Sequence, residues 1–455
     1  MLYQTINPFT EKLLKTFPEH TAAQLEEIIS KAEDVYENDW SLRTLEERKA
    51  VLKNAAAILR KSRDAFAKLV TLEMGKLFRE AQGEVDLSAD ILDYYADNAA
   101  TFLAPRKLNV AGGEALIESE PMGVLFCVEP WNFPYYQLAR VAGPDLMSGN
   151  VLIVKHAPNV PQCALAFEKL LLDAGAPLGA YTNVFLSNEQ AAKAVADPRI
   201  KGVALTGSER AGSAVAAEAG QALKKTTMEL GGSDAFIVLD DADMDTAVKW
   251  GLWGRMNNTG QCCVAAKRFI LHEKIADSFL KRFRKELEAL VPGDPMDEKT
   301  TLGPLCTKSA LELVEKQIRT AVEGGAEVLT GGTRLDRTGY FLAPTILTGI
   351  DPKNPAFHQE FFAPVALIFR VKSDQEAIDL ANDSPYGLGG SVMTTDVERG
   401  KRIARRIETG MVFINQSTWT APDLPFGGVK NSGYGRELSD LGISEFVNKK
   451  LIRVA

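Results

Sequence analysis

The feature that most constrains the fold is an alternation of apolar strands and amphipathic helices that begins near residue 124. The runs Val124–Val128, Val151–Lys155, Gly202–Thr206 and Ala235–Leu239 are almost entirely apolar, and helical patterns separate them. Such runs are typical of strands buried on both faces of a parallel sheet that helices cover. A second alternating region runs from residue 242 to about 404. The alternation therefore predicts two α/β units.

The segments around these units differ in pattern. A strand over Leu2–Ile6 precedes a helical region from residue 21 to about 98. Leu108–Ser119 contains a Gly-Gly turn between two strand patterns and predicts a hairpin arm. The C-terminal Leu451–Val454 predicts a short strand with no partner in its own unit, which could pair with the arm of another subunit. Together they favour a homodimer or homotetramer over a monomer.

Composition excludes several classes of protein. The length of 455 residues is too great for one ordinary core. A net charge of −8 argues against a general nucleic-acid surface. The five cysteines lack metal-ligand spacing, so no metal site is expected, and they fit free thiols in a reducing compartment. No apolar run approaches the roughly 20 residues that span a bilayer. We expect a cytoplasmic protein without a membrane segment.

A phosphate site is indicated where one strand turns into a helix. Gly207 and Ser208 follow the strand that ends at Thr206, and an alanine-rich helix begins directly after them. Free amides and the helix dipole at such a turn favour an anion. Ser208 is also an ordinary N-cap candidate. Lys155 ends another strand, at the edge where α/β proteins bind ligands.

Three stretches supply the groups needed for covalent chemistry at a carbonyl. Cys262 and Cys263 follow a glycine in the loop 258–263, Asn132 lies between two prolines, and Glu229 precedes a Gly-Gly turn. These are a nucleophile, an oxyanion donor and a water activator. An inert buried cysteine is the competing interpretation. A Cys–His hydrolase also stays open, although nothing marks any of the four histidines, of which His272 is nearest in sequence, as a partner.

Six motifs stand in order along the chain: PWNFP (130–134), LTGSERAG (205–212), MELGGS (228–233), NTGQCC (258–263), QEFFAP (359–364) and PFGGVKNSGYGRE (425–437). Through them the whole chain resembles the aldehyde dehydrogenase superfamily. The stretches KHAP (155–158) and AAKRF (265–269) resemble most closely the bacterial succinic semialdehyde dehydrogenases.

The resemblance implies an α/β fold of two Rossmann-type domains and a small β arm for oligomerisation. The implied cofactor-binding domain comprises residues 1–102 and 122–231. The implied catalytic domain comprises residues 232–435, and the arm comprises residues 103–121 and 436–455.

The same resemblance assigns catalytic roles. Cys263 is the implied nucleophile, since the family writes this motif as G-Q-x-C, and Cys262 is its variable neighbour. Asn132 and the Cys263 amide would hold the oxyanion, and Glu229 would activate the water that hydrolyses a thioester.

The implied cofactor is NADP, with NAD as the alternative. Pro158 stands where NAD-preferring relatives often carry a glutamate, so no acid repels a 2′-phosphate, and Lys155 and His156 could attract one. Lys155 would lie at the adenosine ribose, Ser208 at the pyrophosphate, and Glu360 at the nicotinamide ribose. The other implied cofactor contacts are Trp131, Gly207, Leu230 and Phe362.

The implied substrate is succinic semialdehyde or a similar short carboxylated aldehyde. Arg140 occupies the position at which such enzymes hold the distal carboxylate, and Ser417 and Thr420 could complete the site. Phe133 and Phe426 would form the aldehyde tunnel. An arginine that some relatives carry before NTGQ is absent, since Asn257 stands there. A generalist for short aliphatic aldehydes, or a thiol hydrolase or esterase, are the alternatives.

The paired thiols suggest one further hypothesis. Cys262 could capture an oxidised Cys263 sulfenate as a vicinal disulfide, which would make inactivation reversible.

Overall fold

The structure is a computed structural model that describes residues 3–455, so Leu2 of the first predicted strand lies outside the described residues. A short hairpin and four helices form the N-terminal part. Helix capping explains one boundary: the Thr44 side chain accepts from the Glu47 amide, and the Glu47 carboxylate accepts from the Thr44 amide. These elements are β1 (Tyr3–Ile6), β2 (Leu13–Phe17), α1 (Ala22–Asn38), α2 (Leu45–Lys61), α3 (Arg63–Met74) and α4 (Phe78–Phe102).

Two arm strands and the first α/β unit follow. The unit begins after Gly123, whose φ of 134° few residues other than glycine adopt. The elements are β3 (Arg106–Lys107), β4 (Glu114–Pro121), β5 (Val124–Glu129), α5 (Pro134–Ser148), β6 (Val151–His156), α6 (Pro161–Asp173), β7 (Tyr181–Asn183), α7 (Asn188–Ala196), β8 (Ile200–Thr206), α8 (Glu209–Gln221) and β9 (Lys225–Glu229).

The second α/β unit and the C-terminal elements complete the chain. They are β10 (Asp234–Val238), α9 (Met244–Met256), β11 (Ala266–His272), α10 (Glu273–Glu288), α11 (Lys308–Glu323), β12 (Glu327–Thr330), β13 (Thr345–Thr348), β14 (Val365–Val371), α12 (Asp374–Asn382), β15 (Tyr386–Gly387), β16 (Gly390–Met393), α13 (Val397–Ala404), β17 (Phe413–Ile414), β18 (Val429–Lys430), β19 (Gly433–Tyr434), α14 (Ser439–Ile443) and β20 (Val447–Val454).

The first unit contains a six-stranded sheet in the order β19-β9-β8-β5-β6-β7. All neighbours are parallel except β19 and β9. The connection order reverses between β5 and β8, which places a crevice at the carboxyl ends of these two strands. Both motifs that follow these strands, PWNFP and the Gly207-Ser208 turn, therefore open onto the same crevice.

The second unit contains a seven-stranded sheet in the order β12-β13-β14-β11-β10-β16-β17. Only the pairing of β12 with β13 is antiparallel. The predicted α/β class with two parallel sheets is confirmed. Strand β7 ends at Asn183, and the chain then turns toward α7.

The arm is a three-stranded sheet in the order β20-β4-β3. The C-terminal strand β20 pairs antiparallel with β4 of its own chain over eight residue pairs, from Val447 with Pro121 to Val454 with Glu114. The C-terminal strand was expected to have no partner in its own unit and to pair with the arm of another subunit, whereas it pairs with the arm of its own chain. The first arm strand lies at Arg106–Lys107, just before the predicted hairpin segment Leu108–Ser119.

The predicted domain boundaries stay a prediction. Strand β9 belongs to the first sheet and β10 to the second, on either side of residue 231. Strand β19, however, joins the first sheet although it precedes residue 435. Within residues 3–455, no helix combines the length and apolar character needed to cross a membrane.

Candidate active site

The candidate site lies where the carboxyl edge of the first sheet faces the amino edge of the second. Glu129, Thr206 and Glu229 end β5, β8 and β9, while Asp234 begins β10. The loop that carries the two cysteines comes just before β11. A Cβ added at Gly232 would lie 2.6 Å from the Cys263 carbonyl oxygen, so the turn after Glu229 packs directly on this loop.

The cysteine loop has an unusual backbone. Asn258, Thr259 and Gly260 have φ values of 53°, 55° and 75° in succession. The left-handed region costs a residue with a Cβ about 1 kcal/mol or more. A Cβ at Gly260 would meet the Ala363 carbonyl at 2.6 Å, so both the conformation and the close packing require glycine there.

Hydrogen bonds hold this loop against the PWNFP turn. Asn258 Nδ2 donates to the Asn132 carbonyl at 2.8 Å, and Asn132 Nδ2 donates to the Gln261 carbonyl at 3.2 Å. Gln261 Oε1 accepts from the Cys306 amide at 2.8 Å. The structure thus brings Asn132 to the nucleophile loop, with its amide group directed at the loop backbone.

The two adjacent thiols differ in environment. Cys262 is buried and Cys263 is partly exposed, and both border one cavity. The hydrogen bond between the thiols lowers the pKa of Cys262 and raises that of Cys263, and burial opposes a thiolate on either. The pKa directions favour the thiolate on Cys262, whereas exposure favours Cys263 as the sulfur that reaches a substrate.

A buried lysine supports the loop. Lys267 Nζ donates to the carbonyl oxygens of Cys262 at 2.8 Å and Cys263 at 2.7 Å. It also forms an ion pair of 2.8 Å with Glu360 Oε1. The sequence interpretation missed Lys267, although it lies in the Ala265–Phe269 stretch that carries part of the family resemblance.

Glu229 belongs to a buried group of carboxylates. Glu129, Glu229 and Glu437 are all at most 6% exposed, and among the described residues neither Glu129 nor Glu229 has a hydrogen-bond partner for its carboxylate oxygens. Burial raises the pKa of all three carboxyls, the neighbouring carboxylates raise it further, and the Arg140 guanidinium opposes the rise. A raised pKa suits Glu229 to a role as general base.

Arg140 lies behind the wall of the cavity. It forms a buried ion pair with Glu437 and donates to Thr206 Oγ1 at 2.8 Å and to the Tyr136 hydroxyl at 3.3 Å. Its side chain is 0% exposed. The expectation of a direct Arg140 contact to the substrate carboxylate is therefore corrected: Glu437 already satisfies the guanidinium, and Tyr136 separates it from the cavity.

The cavity next to the thiols has a volume of about 410 Å³. Phe133, Phe426 and Thr420 line it as expected, but Ser417 does not, because its buried hydroxyl packs against Gly254. The Tyr136 hydroxyl lies 3.0 Å from Thr420 Oγ1. Among its described lining residues none is basic, and the charged ones are Glu80 and Glu84.

The expected adenosine-side residues lie along the edges of β6 and α8. Lys155 is largely buried, and burial lowers the pKa of its ammonium. Ser208 is exposed and caps α8 by accepting from the Ala211 amide at 3.4 Å. Gly207 and Leu230 flank the same helix start, and the Pro158 carbonyl accepts from the Gln4 amide at 2.9 Å.

The expectation that His156 attracts a phosphate is wrong. Its imidazole is fully buried and both ring nitrogens contact backbone, Nδ1 at the Glu129 carbonyl and Nε2 at the Pro134 carbonyl. Burial lowers the pKa of His156 to about 4, so the ring is neutral and serves to join β6 to the PWNFP turn.

The expected nicotinamide-side residues lie together. The Trp131 and Phe362 rings are 5.7 Å apart in an edge-to-face arrangement, and Glu360 Oε1 accepts from the Gly232 amide at 3.1 Å. These residues fit a ribose and a ring. The exposed start of α8 fits a pyrophosphate.

Comparisons with known proteins agree with this geometry. A sequence profile of the aldehyde dehydrogenase family matches residues 1–452. The succinate-semialdehyde dehydrogenase [NADP(+)] of Deinococcus radiodurans is 48% identical over 99% of this chain and 94% of its own length. The solved structure of Gox0499 is 58% identical with a TM-score of 0.99 over all of both chains. The NADP+ complex of succinic semialdehyde dehydrogenase from Streptococcus pyogenes is 49% identical with a TM-score of 0.98 over 99% of each chain.

Proposed function

Because the chain belongs to the aldehyde dehydrogenase family, we propose that it oxidises succinic semialdehyde, or a similar short carboxylated aldehyde, to the acid with NADP as oxidant. Relatives named for this activity and cofactor support the proposal at 44–48% identity. The observation that carries it is the position of Cys263, a partly exposed thiol at a cavity of about 410 Å³.

The reaction begins at Cys263. Its thiolate attacks the aldehyde carbon, and the Asn132 amide stabilises the negative charge that develops on oxygen. NADP, when bound, would supply the oxidant for the next step, in which the hydride leaves the carbon joined to Cys263 and an acyl thioester remains on the sulfur. Glu229 then removes a proton from water, the hydroxyl adds to the thioester carbonyl, and the carbon–sulfur bond breaks to release the acid.

Two ends of the crevice would hold the cofactor. Glu360, Trp131 and Phe362 would bind the nicotinamide ribose region, and Ser208 with the start of α8 would bind the pyrophosphate. Lys155 would approach the adenosine ribose. NADP is favoured over NAD because Pro158 supplies no acidic group, and NAD stays the alternative.

We expect the hydroxyls of Tyr136 and Thr420 to bind the distal carboxylate of the substrate. Arg140 donates to the Tyr136 oxygen, and the Tyr136 and Thr420 hydroxyls lie 3.0 Å apart. One proton joins these two hydroxyls, so the other is available to an anion in the cavity. A hydroxyl backed by a guanidinium is a stronger donor to an anion. A generalist for short aliphatic aldehydes is the second candidate, favoured by a cavity whose described lining includes no basic side chain.

A panel of aldehydes tests both candidates. We expect the parent to prefer succinic semialdehyde over hexanal, and NADP over NAD, when formation of reduced cofactor is followed. Tyr136→Phe should lower kcat/KM for succinic semialdehyde by about 10-fold, the cost of one hydrogen bond to a charged group, and leave hexanal unchanged. Tyr94→Phe, outside the cavity, is the matched control. Equal losses for both aldehydes would favour the generalist, and no turnover with either cofactor would favour a hydrolase.

The assembly and location belong to the same proposal. We expect a homodimer or homotetramer joined through the arm, whose edge strand β20 exposes Leu451 and Val454. An exposed apolar edge strand commonly pairs with another chain. Light scattering after size exclusion tests this, and a monomer would contradict it. Free thiols throughout the described residues fit a cytoplasmic enzyme.

A further inference from the structure

The nucleophile loop is anchored by a cation that the reaction scheme above does not use. Lys267 is fully buried, yet its ammonium has three oxygen partners, each within 2.8 Å. Two are the carbonyl oxygens of Cys262 and Cys263, and the third is Glu360. A buried lysine is costly unless it is paired in this way. Its position links the two cysteines to the residue expected at the cofactor ribose.

We propose that Lys267 is a positioning residue for the nucleophile: it fixes the carbonyls of Cys262 and Cys263 and stabilises the Cys263 thiolate by its charge. This inference rests on the proposed thiol chemistry. The two carbonyls accept from one ammonium, so the peptide units on both sides of the reactive sulfur are held in one orientation. A neighbouring positive charge favours a thiolate over a thiol.

Charges of both signs face the thiols and the ammonium. The neighbouring Cys262 thiol and burial raise the pKa of Cys263, and the charges of Lys267 and Arg140 oppose that rise. Lys267 likewise lowers the pKa of Cys262, whereas Asp234 raises it. Glu360 draws on the same ammonium and so weakens its effect on the sulfur. The groups that face the thiol pair and Lys267 are Arg140, Arg255, Asp234 and Glu360.

Thiol alkylation measures this effect without aldehyde or cofactor. The rate of iodoacetamide reaction is followed against pH in the full-length protein, and peptide mass spectrometry identifies the alkylated cysteine. Lys267→Met keeps a side chain of similar length and removes the charge. The midpoint for Cys263, the pH at which its alkylation rate is half its maximum, should therefore rise by about one pH unit. Lys267→Arg should recover most of that shift. Lys316→Met, on the exposed face of α11, is the matched control and should leave the midpoint unchanged.

A second variant, for which the opposite shift of the Cys263 midpoint is expected, tests the inference if Lys267→Met fails to fold. Glu360→Gln removes the anion that competes for the ammonium, and so should lower the Cys263 midpoint. Equal midpoints in the parent and Lys267→Met would overturn the inference, as would a rise in Glu360→Gln. Failure of the proposed function looks different: the parent would then oxidise no aldehyde, while the alkylation midpoints would still report on Lys267.

Discussion

The nucleophile loop and the carboxylate group, the two halves of the candidate site, are built in opposite ways. Hydrogen bonds from Asn258, Gln261 and Lys267 hold the loop in a left-handed conformation. Within residues 3–455, no hydrogen bond of ordinary geometry reaches the carboxylate oxygens of Glu129 and Glu229. The loop therefore fixes an atom in space, whereas the carboxylates are left ready to exchange protons. A reaction that needs one positioned sulfur and one mobile proton uses both kinds of environment.

The largest effect should come from the loop. Cys263→Ala removes the nucleophile and should lower aldehyde oxidation by at least about 10⁴-fold. Cys262→Ala leaves the nucleophile in place and should retain most activity, which initial rates with NADP would measure. The assignment would fail if the two variants lost activity equally. The Cys262→Ser variant also tests the vicinal disulfide: recovery from peroxide with dithiothreitol should be less complete than in the parent.

The next effect concerns the carboxylate half alone. Glu229→Gln should slow thioester hydrolysis by about 10²- to 10⁴-fold and leave the first turnover almost unchanged. Stopped-flow absorbance should therefore show a burst of reduced cofactor and then a slow steady state. If the variant shows no burst, Glu229 acts before the thioester forms, and the two halves of the site do not serve separate steps.

The pH dependence of the free energy of unfolding should show whether Glu129 is protonated in the folded protein. Burial raises the pKa of Glu129 in the folded protein, so ionisation adds almost no cost at pH 4, where the carboxyl is largely protonated in both the folded and the unfolded chain. Above the ordinary carboxyl pKa the unfolded chain ionises more readily, and stability is lost as pH rises. Glu129→Gln should therefore stabilise the fold by about 1–3 kcal/mol at pH 8 and hardly at pH 4.

Urea unfolding at the two pH values measures this difference. Glu218→Gln, on the exposed face of α8, is the matched control and should change neither value. A Glu129→Gln variant that is destabilised at pH 8 would show that the carboxylate is ionised and paired there, contrary to the arrangement described.

The smallest effect is expected at Ser208, at the start of α8, where the pyrophosphate would bind. Ser208 caps α8 by a single long hydrogen bond of 3.4 Å. Ser208→Ala should cost about 0.5–1 kcal/mol of stability, and should weaken NADP binding if the hydroxyl also contacts the pyrophosphate. Thermal unfolding and fluorescence titration separate the two. Normal stability with normal binding would remove Ser208 from the site.

Sequence patterns predicted the architecture better than the side-chain partners. Apolar runs such as Val151–Lys155 predict buried parallel strands, because strand burial depends on local composition. Motif positions likewise predict which loops meet, as they do for Asn132 and the cysteine loop. The burial of His156 and the pairing of Arg140 with Glu437 depend on contacts between residues far apart in sequence, and no local pattern encodes them.

Two further features had no sequence signal of their own. The pairing of β20 with β4 joins residues more than 300 positions apart, so the C-terminal strand seemed to lack a partner. Lys267 resembled an ordinary lysine at the start of a strand, and only its three oxygen partners distinguish it. Only the structure shows that this lysine is completely buried.

The central claim is that Cys263 carries the acyl group and Glu229 releases it. The most direct measurement is mass spectrometry of Glu229→Gln after a short incubation with succinic semialdehyde and NADP, quenched in acid. The account predicts a mass increase of one succinyl group, located by peptide analysis on Cys263. A variant without added mass, or with the succinyl group on Cys262, would contradict it.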